Sequence, residues 1–471
     1  MFQPAARHFA RVQRVGNARL GEILGAFSYA LDLTEGQPAG HSIRAAWIAV
    51  QLGMAAGLEG QELADCLYAT LLKDLGCSSN AARVAELFVG DDRTLKQGFK
   101  LIGPDGADFL RFVEAEVGRR ESDAVRSAAR DHLLTNATPI LTGFIHTRCT
   151  QGATIARRLR FSENVAGAIS SLDEHWDGAG MPRGLSGNAI PLLSRIALLA
   201  QVADVFYMAE GPSRALAEVK ARADTWFDPY LVSLFTLIAG KPQFWAEVGA
   251  INIEKSLFAL EPAQSSVEVD EDFLDDIAMA FGQVIDAKSP FTGGHSNRVA
   301  FFTDRLGEIL GIPAEERRPL VRGAALHDIG KLGVSSRILD KAGPLDGDEW
   351  LEMKGHAGLT RDILARVGVM RSMAMMAGSH HERLDGKGYP LGLDARTLSL
   401  ETRIISVADY FDAITSARPY RAAMPLDEAL AVMARDVGSA IDGDVFAALQ
   451  AMVAHGIPEQ PLPKLPGVLR I

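Results

Sequence analysis

Apolar residues recur at three- and four-residue steps along most of the chain, the spacing that lines one face of an α-helix. In "HSNRVAFFTDRLGEILGI", His295, Val299, Phe302, Leu306 and Ile309 share one such face. The stretches "RPLVRGAALHDIGKLG" and "MRSMAMMAGSHHE" behave similarly, and strand-like alternation is scarce. The pattern predicts an all-α protein. It lapses in "LEPAQSSVEVDEDF" (260–273), where proline, serine and acids replace the periodic apolar positions, the signature of a linker. The expected organisation is a first domain over 1–260, a linker over 261–272, a second domain over 273–455 and an irregular, proline-containing tail over 456–471. The methionines between 370 and 376 lie at helical spacing and read as core packing rather than a cofactor site.

The pattern also repeats at the scale of a whole domain. "GHSIRAAWIAVQLG" (40–53) echoes "GHSNRVAFFTDRLG" (294–307), and "LLKDLGC" (71–77) echoes "ALHDIGK" (325–331). The step from His41 to Asp74 equals that from His295 to Asp328. "DEHWDGAGMPRGL" (173–185) echoes "HERLDGKGYPLGL" (381–393), and "RIALLAQVADVFY" echoes "RIISVADYFD" if three extra residues are allowed. Between its second and third motifs the first copy carries about 46 more residues, an insertion near 80–146.

Composition narrows the setting. A chain of 471 residues holds two or three domains. A net charge of −11 argues against a general nucleic-acid or anionic-membrane surface, while leaving room for a local basic pocket that takes a small phosphate ligand. Cys66, Cys77 and Cys149 are odd in number and lack C-x-x-C spacing, so they read as reduced thiols. No signal-peptide core precedes Leu20, and no stretch reaches the roughly 18 uninterrupted apolar residues of a spanning helix. A cytoplasmic protein is expected.

Five of the eleven histidines fall between 295 and 381: His295, His327, His356, His380 and His381. A lone histidine on an apolar helix face is usually a hydrogen-bonded core residue. Five near glycines, with Asp328 beside His327 and His380 beside His381, form a pattern of another kind. Consecutive helical residues project about 100° apart, so an adjacent pair serves two ions side by side better than one. Imidazole with carboxylate suits iron, manganese or zinc rather than calcium or magnesium. Two such ions can share a hydroxide that attacks phosphorus.

The ordered motifs "GHSNRV", "HDIGK", the histidine of "HAGLT", "HHERLDGKGYP" and "ADYFDAITSARPYR" closely resemble the HD-GYP domain, a subgroup of the HD phosphohydrolases that hydrolyses cyclic di-GMP. The likeness covers residues 271 to about 440. It implies two tandem HD-type helical domains, the second catalytic, and a metal-dependent phosphodiesterase yielding linear pGpG and GMP. It implies one divalent transition metal, iron or manganese, on His295, His327, Asp328 and Asp409. A second would take His356, His380 and His381, with Asp328 bridging. Asp328 and Lys331 would be catalytic, Lys331 near the scissile phosphate. Asp385, Gly386, Gly388, Tyr389 and Pro390 would shape the substrate loop, and Arg418 and Arg421 would reach phosphates or guanines. Phe291 stands where some members place the acid of a third metal site, so two ions are expected. "HAGLT" lacks the proline and glycine usual after that histidine.

Under the same correspondence the first copy has lost its chemistry. His327 becomes Lys73, Lys331 becomes Cys77, His356 becomes Arg148, His380–His381 becomes Leu172–Asp173 and Tyr389 becomes Met181. His41, Asp74 and Asp204 are the expected survivors, with Lys73 pairing with Asp74 or Asp204. A regulatory or interaction role is expected for this half; a single-metal or nucleotide-sensing site on the three survivors is the alternative. Expected partners are cyclic di-GMP, proteins at the N-terminal half and a second copy in a homodimer. Alternatives to the leading reading are another cyclic dinucleotide or nucleotide phosphate as substrate, and a non-catalytic receptor or scaffold. "DEAL" (427–430) and "DGDEW" (346–350) match other cyclic di-GMP signatures in letters only; the second reads as a solvated helix start after Pro344.

Overall fold

A computed structural model of the protein describes residues 20–103, 106–261, 269–417 and 422–457. These fold into helices joined by short turns, with isolated β-bridges and no strand among the described residues. The all-α expectation is met, and the two halves run through the same succession. Helices Leu20–Thr34, His41–Ala55 and Gly60–Leu71 lead to a turn at Cys77–Asn80. Helices Glu271–Asp286, His295–Ile309 and Ala314–Ala325 lead to one at Ile329–Gly333.

The repeated "GH" is a structural device. Gly40 and Gly294 sit at φ 82° and 74°, a left-handed conformation that costs glycine little, and each sets a histidine at the first helical position. The later helices Ala137–Arg158 and Gly347–Ala365 pack tightly on the preceding turns. A Cβ added to Gly76 would collide with the backbone of Arg148, and one on Gly330 with that of His356.

The two copies share one continuous apolar core. Phe27 and Phe281, each fourteen residues before its "GH" histidine, stack on one another with ring centroids 4.1 Å apart. Contact between equivalent residues is what a two-fold axis produces, so the copies face each other as dimer subunits would. Arg366 over the Tyr29 ring and an Arg160–Asp276 ion pair extend the seam.

The insertion breaks this symmetry. Helices Ala81–Phe88, Asp92–Lys100, Gly106–Glu116 and Asp123–Thr135 form a lobe with the start of Ala137–Arg158. The lobe has its own small core, including Val84, Phe88, Leu95, Val113, Val117 and Leu133.

The helix that opens the second copy starts at Glu271, not 273, because the Asp270 side chain accepts from Phe273 N and caps it. An acid counted with the linker is thus an N-cap. Residues 262–268 of the linker and 458–471 of the tail lie outside the described residues. Met370 and Met373 are buried, as packing residues should be, whereas Met375 is exposed and departs from that expectation. Among the described helices, Leu192–Glu210 is long and apolar enough to cross a membrane, but 72% of its apolar window is buried inside the first copy.

Candidate metal centre

Five elements deliver seven donors to one point in the second copy. His295 opens its helix; His327 and Asp328 lie at the turn before Ile329–Gly333; His356 is within Gly347–Ala365; His380 and His381 follow Arg371–Gly378; Asp409 lies on Leu400–Thr415. The Nε2 atoms of His295 and His327 lie 3.5 and 3.3 Å from Asp328 Oδ2, and 3.4 and 3.7 Å from Asp409 Oδ1. The Nε2 atoms of His356 and His380 lie 3.4 and 3.7 Å from the other oxygen, Asp328 Oδ1. His356, His380 and His381 form a second cluster whose donor atoms lie within 4.8 Å of one another. Donors about 2.1 Å from a shared ion stand roughly 3.0–3.4 Å apart. The spacings fit two ions with Asp328 between them.

Four of the five imidazoles commit their other ring nitrogen elsewhere. His327, His356 and His380 donate through Nδ1 to the carbonyls of Ala324, Met353 and Ala377 at 2.7, 2.5 and 2.6 Å. His295 donates to Asp412 at 2.7 Å. This fixes the tautomer that turns Nε2 toward the site, the outer-shell arrangement of metal-bound imidazoles. His295 Nε2, His327 Nε2 and Asp328 Oδ1 are buried without a hydrogen-bond partner, a costly state that an ion removes.

Charge agrees with geometry. Burial pulls His356 down to about 3 and His381 to about 4, and burial with the adjacent His381 depresses His380, so these three are neutral near pH 7, the form in which an imidazole can ligate a metal. Burial opposes charge on His327 too, yet Asp328 and Asp409 lift it to about 9. The two carboxylates demand a cation at this spot.

Lys331 Nζ stands 2.5 Å from Asp328 Oδ2 at the partly open edge. Tyr389 lies with its ring 4.8 Å from that of His381 and 6.4 Å from that of His356. Gly386 adopts φ 73°, and a Cβ on Gly388 would strike the backbone at Glu382–Arg383, so both glycines serve closure of the loop itself. Asp385 is exposed, paired with Arg383 and bonded to Lys387 N; Pro390 is exposed. Arg418 and Arg421 lie outside the described residues.

Three residues of the site escaped the sequence reading. Asp412 holds both His295 and Arg298; its signal was the second acid of "ADYFD". Glu382, directly after the histidine pair, accepts from the amides of Leu391, Gly392 and Leu393 at 2.6, 3.1 and 2.9 Å and shapes the loop. Trp350 is 46% exposed with its ring 6.1 Å from Tyr389. The solvated helix start at "DGDEW" is present, with Asp346 and Glu349 forming a capping box, but its tryptophan faces the site.

In the first copy side-chain cations stand among the remaining donors. Lys73 Nζ lies 3.0 Å from His41 Nε2 and pairs with Asp74. Arg148 pairs with Asp173. Lys100, from the insertion, lies 2.8 Å from Glu35 and 3.7 Å from Asp74. Asp204 bonds His41 Nδ1 at 2.7 Å and Arg44 at 2.6 Å, the bonds Asp412 makes to His295 and Arg298. It is therefore the counterpart of Asp412, not of Asp409, and no three-residue gap exists. Gln201 stands at the Asp409 position, so only His41 and Asp74 survive from the donor set. The Lys73–Asp204 pair is not made, and a single-metal site on His41, Asp74 and Asp204 is not formed because Lys73 stands between the first two. The loop is retained: Glu174 accepts from Arg183 N and Leu185 N at 2.8 Å, and Met181–Pro182 and Tyr389–Pro390 are both cis.

The HD domain family model matches residues 132–231 and 280–445, one stretch in each half. The chain is 48% identical over 431 residues to the 3′3′-cGAMP-specific phosphodiesterase 3 of Vibrio cholerae, covering 92% of this chain and 94% of that protein. It is 36% identical over 181 residues to a cyclic di-GMP phosphodiesterase of Thermotoga maritima, 38% of this chain and 49% of that one. The crystal structure of a cyclic GMP-AMP specific phosphodiesterase of V. cholerae aligns with a TM-score of 0.64 at 44% identity, over 93% of this chain and 98% of that one.

Proposed function

Because the chain belongs to the HD domain family, in its HD-GYP form, and is a phosphodiesterase, we propose that its substrate is 3′3′-cyclic GMP-AMP, opened to the linear dinucleotide in the second copy. The observation that carries this reading is the extent of the V. cholerae likeness, which runs through both halves at 48% identity. The T. maritima likeness, which supports the cyclic di-GMP expected from sequence, covers 38% of the chain. Cyclic di-GMP is therefore the second substrate in rank.

In this reading His295, His327, Asp328 and Asp409 hold one ion, and His356, His380 and His381 hold the other, with Asp328 shared. Iron or manganese suits the set, which has no thiolate. When bound, the ions supply an activated water and neutralise the phosphate. The chain does the rest. Lys331 places an ammonium at the site's edge, where charge develops on the phosphoryl oxygens and on the departing ribose oxygen. Tyr389 braces His381, and Trp350 offers an exposed face on which a purine stacks, as aromatic platforms do for unpaired bases. Arg418 and Arg421 of "SARPYR" are the further cations assigned to the substrate's phosphates or guanines. The first copy, 1–260, has a regulatory or interaction role.

Purified protein loaded anaerobically with iron or manganese should hydrolyse 3′3′-cyclic GMP-AMP with a kcat/KM at least tenfold above that for cyclic di-GMP. The reverse preference would overturn the substrate. No hydrolysis of either, with both ions bound, would overturn the function.

A further inference from the structure

The first copy keeps a cavity where the second keeps its metal centre. Its volume is about 310 Å³, within the size range of small-molecule sites. Its floor includes Cys77, Arg148, Asp173, Met181 and Gln201, the counterparts of Lys331, His356, His381, Tyr389 and Asp409. Its roof is the insertion, through Phe88, Phe99, Phe112 and Phe144. The second copy has no such lobe.

The lining is apolar except at one end. There Lys96, Lys100 and Arg148 face only two lining carboxylates, Glu35 and Asp173. Asp74, behind them, is met by Lys73 and stands 3.7 Å from Lys100, so Lys73, Lys96, Lys100 and Arg148 together face Glu35, Asp74 and Asp173. His175, stacked on Trp226 at 4.3 Å, is held neutral by burial. One positive charge is left over. A cyclic dinucleotide brings two phosphates and many polar base edges, which walls of phenylalanine, leucine and valine would leave unpaired at high cost.

We propose that this cavity is a ligand site for a small monoanionic amphiphile, an apolar carboxylate whose head meets Lys96 and Lys100 and whose acyl or aryl body lies among the phenylalanines. The same helix that carries both lysines, Asp92–Lys100, reaches the catalytic copy. Asp92 accepts from Ser336 N at 2.8 Å; Arg93 bonds Gly333 O and pairs with Glu352 at 2.7 Å. Gly333 closes the turn that bears Lys331. Occupancy at one end of a nine-residue helix is thereby transmitted to the turn that positions the catalytic lysine, and the ligand tunes turnover.

Calorimetric titration of the full-length protein with decanoate, below its micelle concentration, tests the site apart from activity. Decanoate should bind once per chain, at least tenfold more tightly than decanol, and decyltrimethylammonium should not bind. Lys100→Met, which removes the head-group charge, and Ile145→Trp, at a residue lining the cavity beside Phe144, which fills the space, should each weaken decanoate at least tenfold. Failure of decanoate to bind wild type, or equal binding of the cationic probe, would overturn the site. Saturating decanoate should change kcat at least twofold, and Arg93→Ala should abolish that change while leaving binding intact. Unchanged turnover in saturated wild type would overturn the coupling.

Discussion

The two halves hold the same frame around opposite centres. Both set a histidine after a left-handed glycine, both tie its Nδ1 to an aspartate shared with an arginine, and both fold the same loop around a buried glutamate. At the centre, the second copy converges seven donors with unpartnered atoms, and the first inserts Lys73, Arg148 and Lys100. The buried carboxylate is the fixed quantity. Asp74 and Asp328 are both nearly inaccessible, and a buried charge must be matched. A metal ion and a lysine ammonium are alternative solutions to the same electrostatic demand. On this account the first copy keeps the fold without the donor set because the fold needs a cation there, whereas hydrolysis needs an ion with open positions.

The comparison breaks most readily at Asp328. Asp328→Ala should abolish cyclic dinucleotide turnover and empty both ion positions together, because one carboxylate faces both clusters. Equal catalytic loss in a folded Asp74→Asn protein would end the distinction between the copies. Lys331→Met should lower kcat by roughly 10²–10³, the usual effect of losing one donor to developing charge, with metal content unchanged. Loss of metal in that variant would make the lysine a structural partner of Asp328 instead.

Trp350→Ala sharpens substrate recognition. Losing one stacked base costs about 1–3 kcal/mol, so kcat/KM for the cyclic dinucleotide should fall about 5- to 150-fold. Hydrolysis of bis(p-nitrophenyl) phosphate, which lacks a purine, should change far less. In the first copy, Lys73→Met should leave turnover in place and lower stability by about 3–5 kcal/mol, the effect of stripping a buried ion of its partner; thermal denaturation reads this directly.

The smallest expected effect is on pH. Burial raises the Asp32 carboxyl from 3.8 to about 7, against hydrogen bonds from Ser42 that favour its charge. The folded state therefore holds this proton more tightly than the unfolded chain, and stability falls as pH rises from about 4 to 7. Asp32→Asn should flatten that part of a melting-temperature profile; an unaltered slope would place the titration elsewhere.

Much of this was legible in the sequence. Helical spacing gave the fold class, and the adjacent pairs His327–Asp328 and His380–His381, set among glycines, pointed to two ions. What stayed hidden was long-range or register-dependent. Letter similarity of "VAD" suggested a three-residue gap, whereas Asp204 is defined by what it holds, His41 and Arg44. Lys100 reaches Asp74 from an insertion whose helices repeat nothing in the second copy. Trp350 belongs to the site only because its helix passes Tyr389. No local pattern encodes such meetings.

Metal content of anaerobically purified protein tests the central claim most directly. Elemental analysis of wild type, Asp328→Ala and Asp74→Asn, each shown to be folded, should give two transition-metal ions per chain in wild type, close to none in Asp328→Ala and two in Asp74→Asn. One ion or fewer in wild type, or a loss in Asp74→Asn equal to that in Asp328→Ala, would contradict a two-ion centre confined to the second copy.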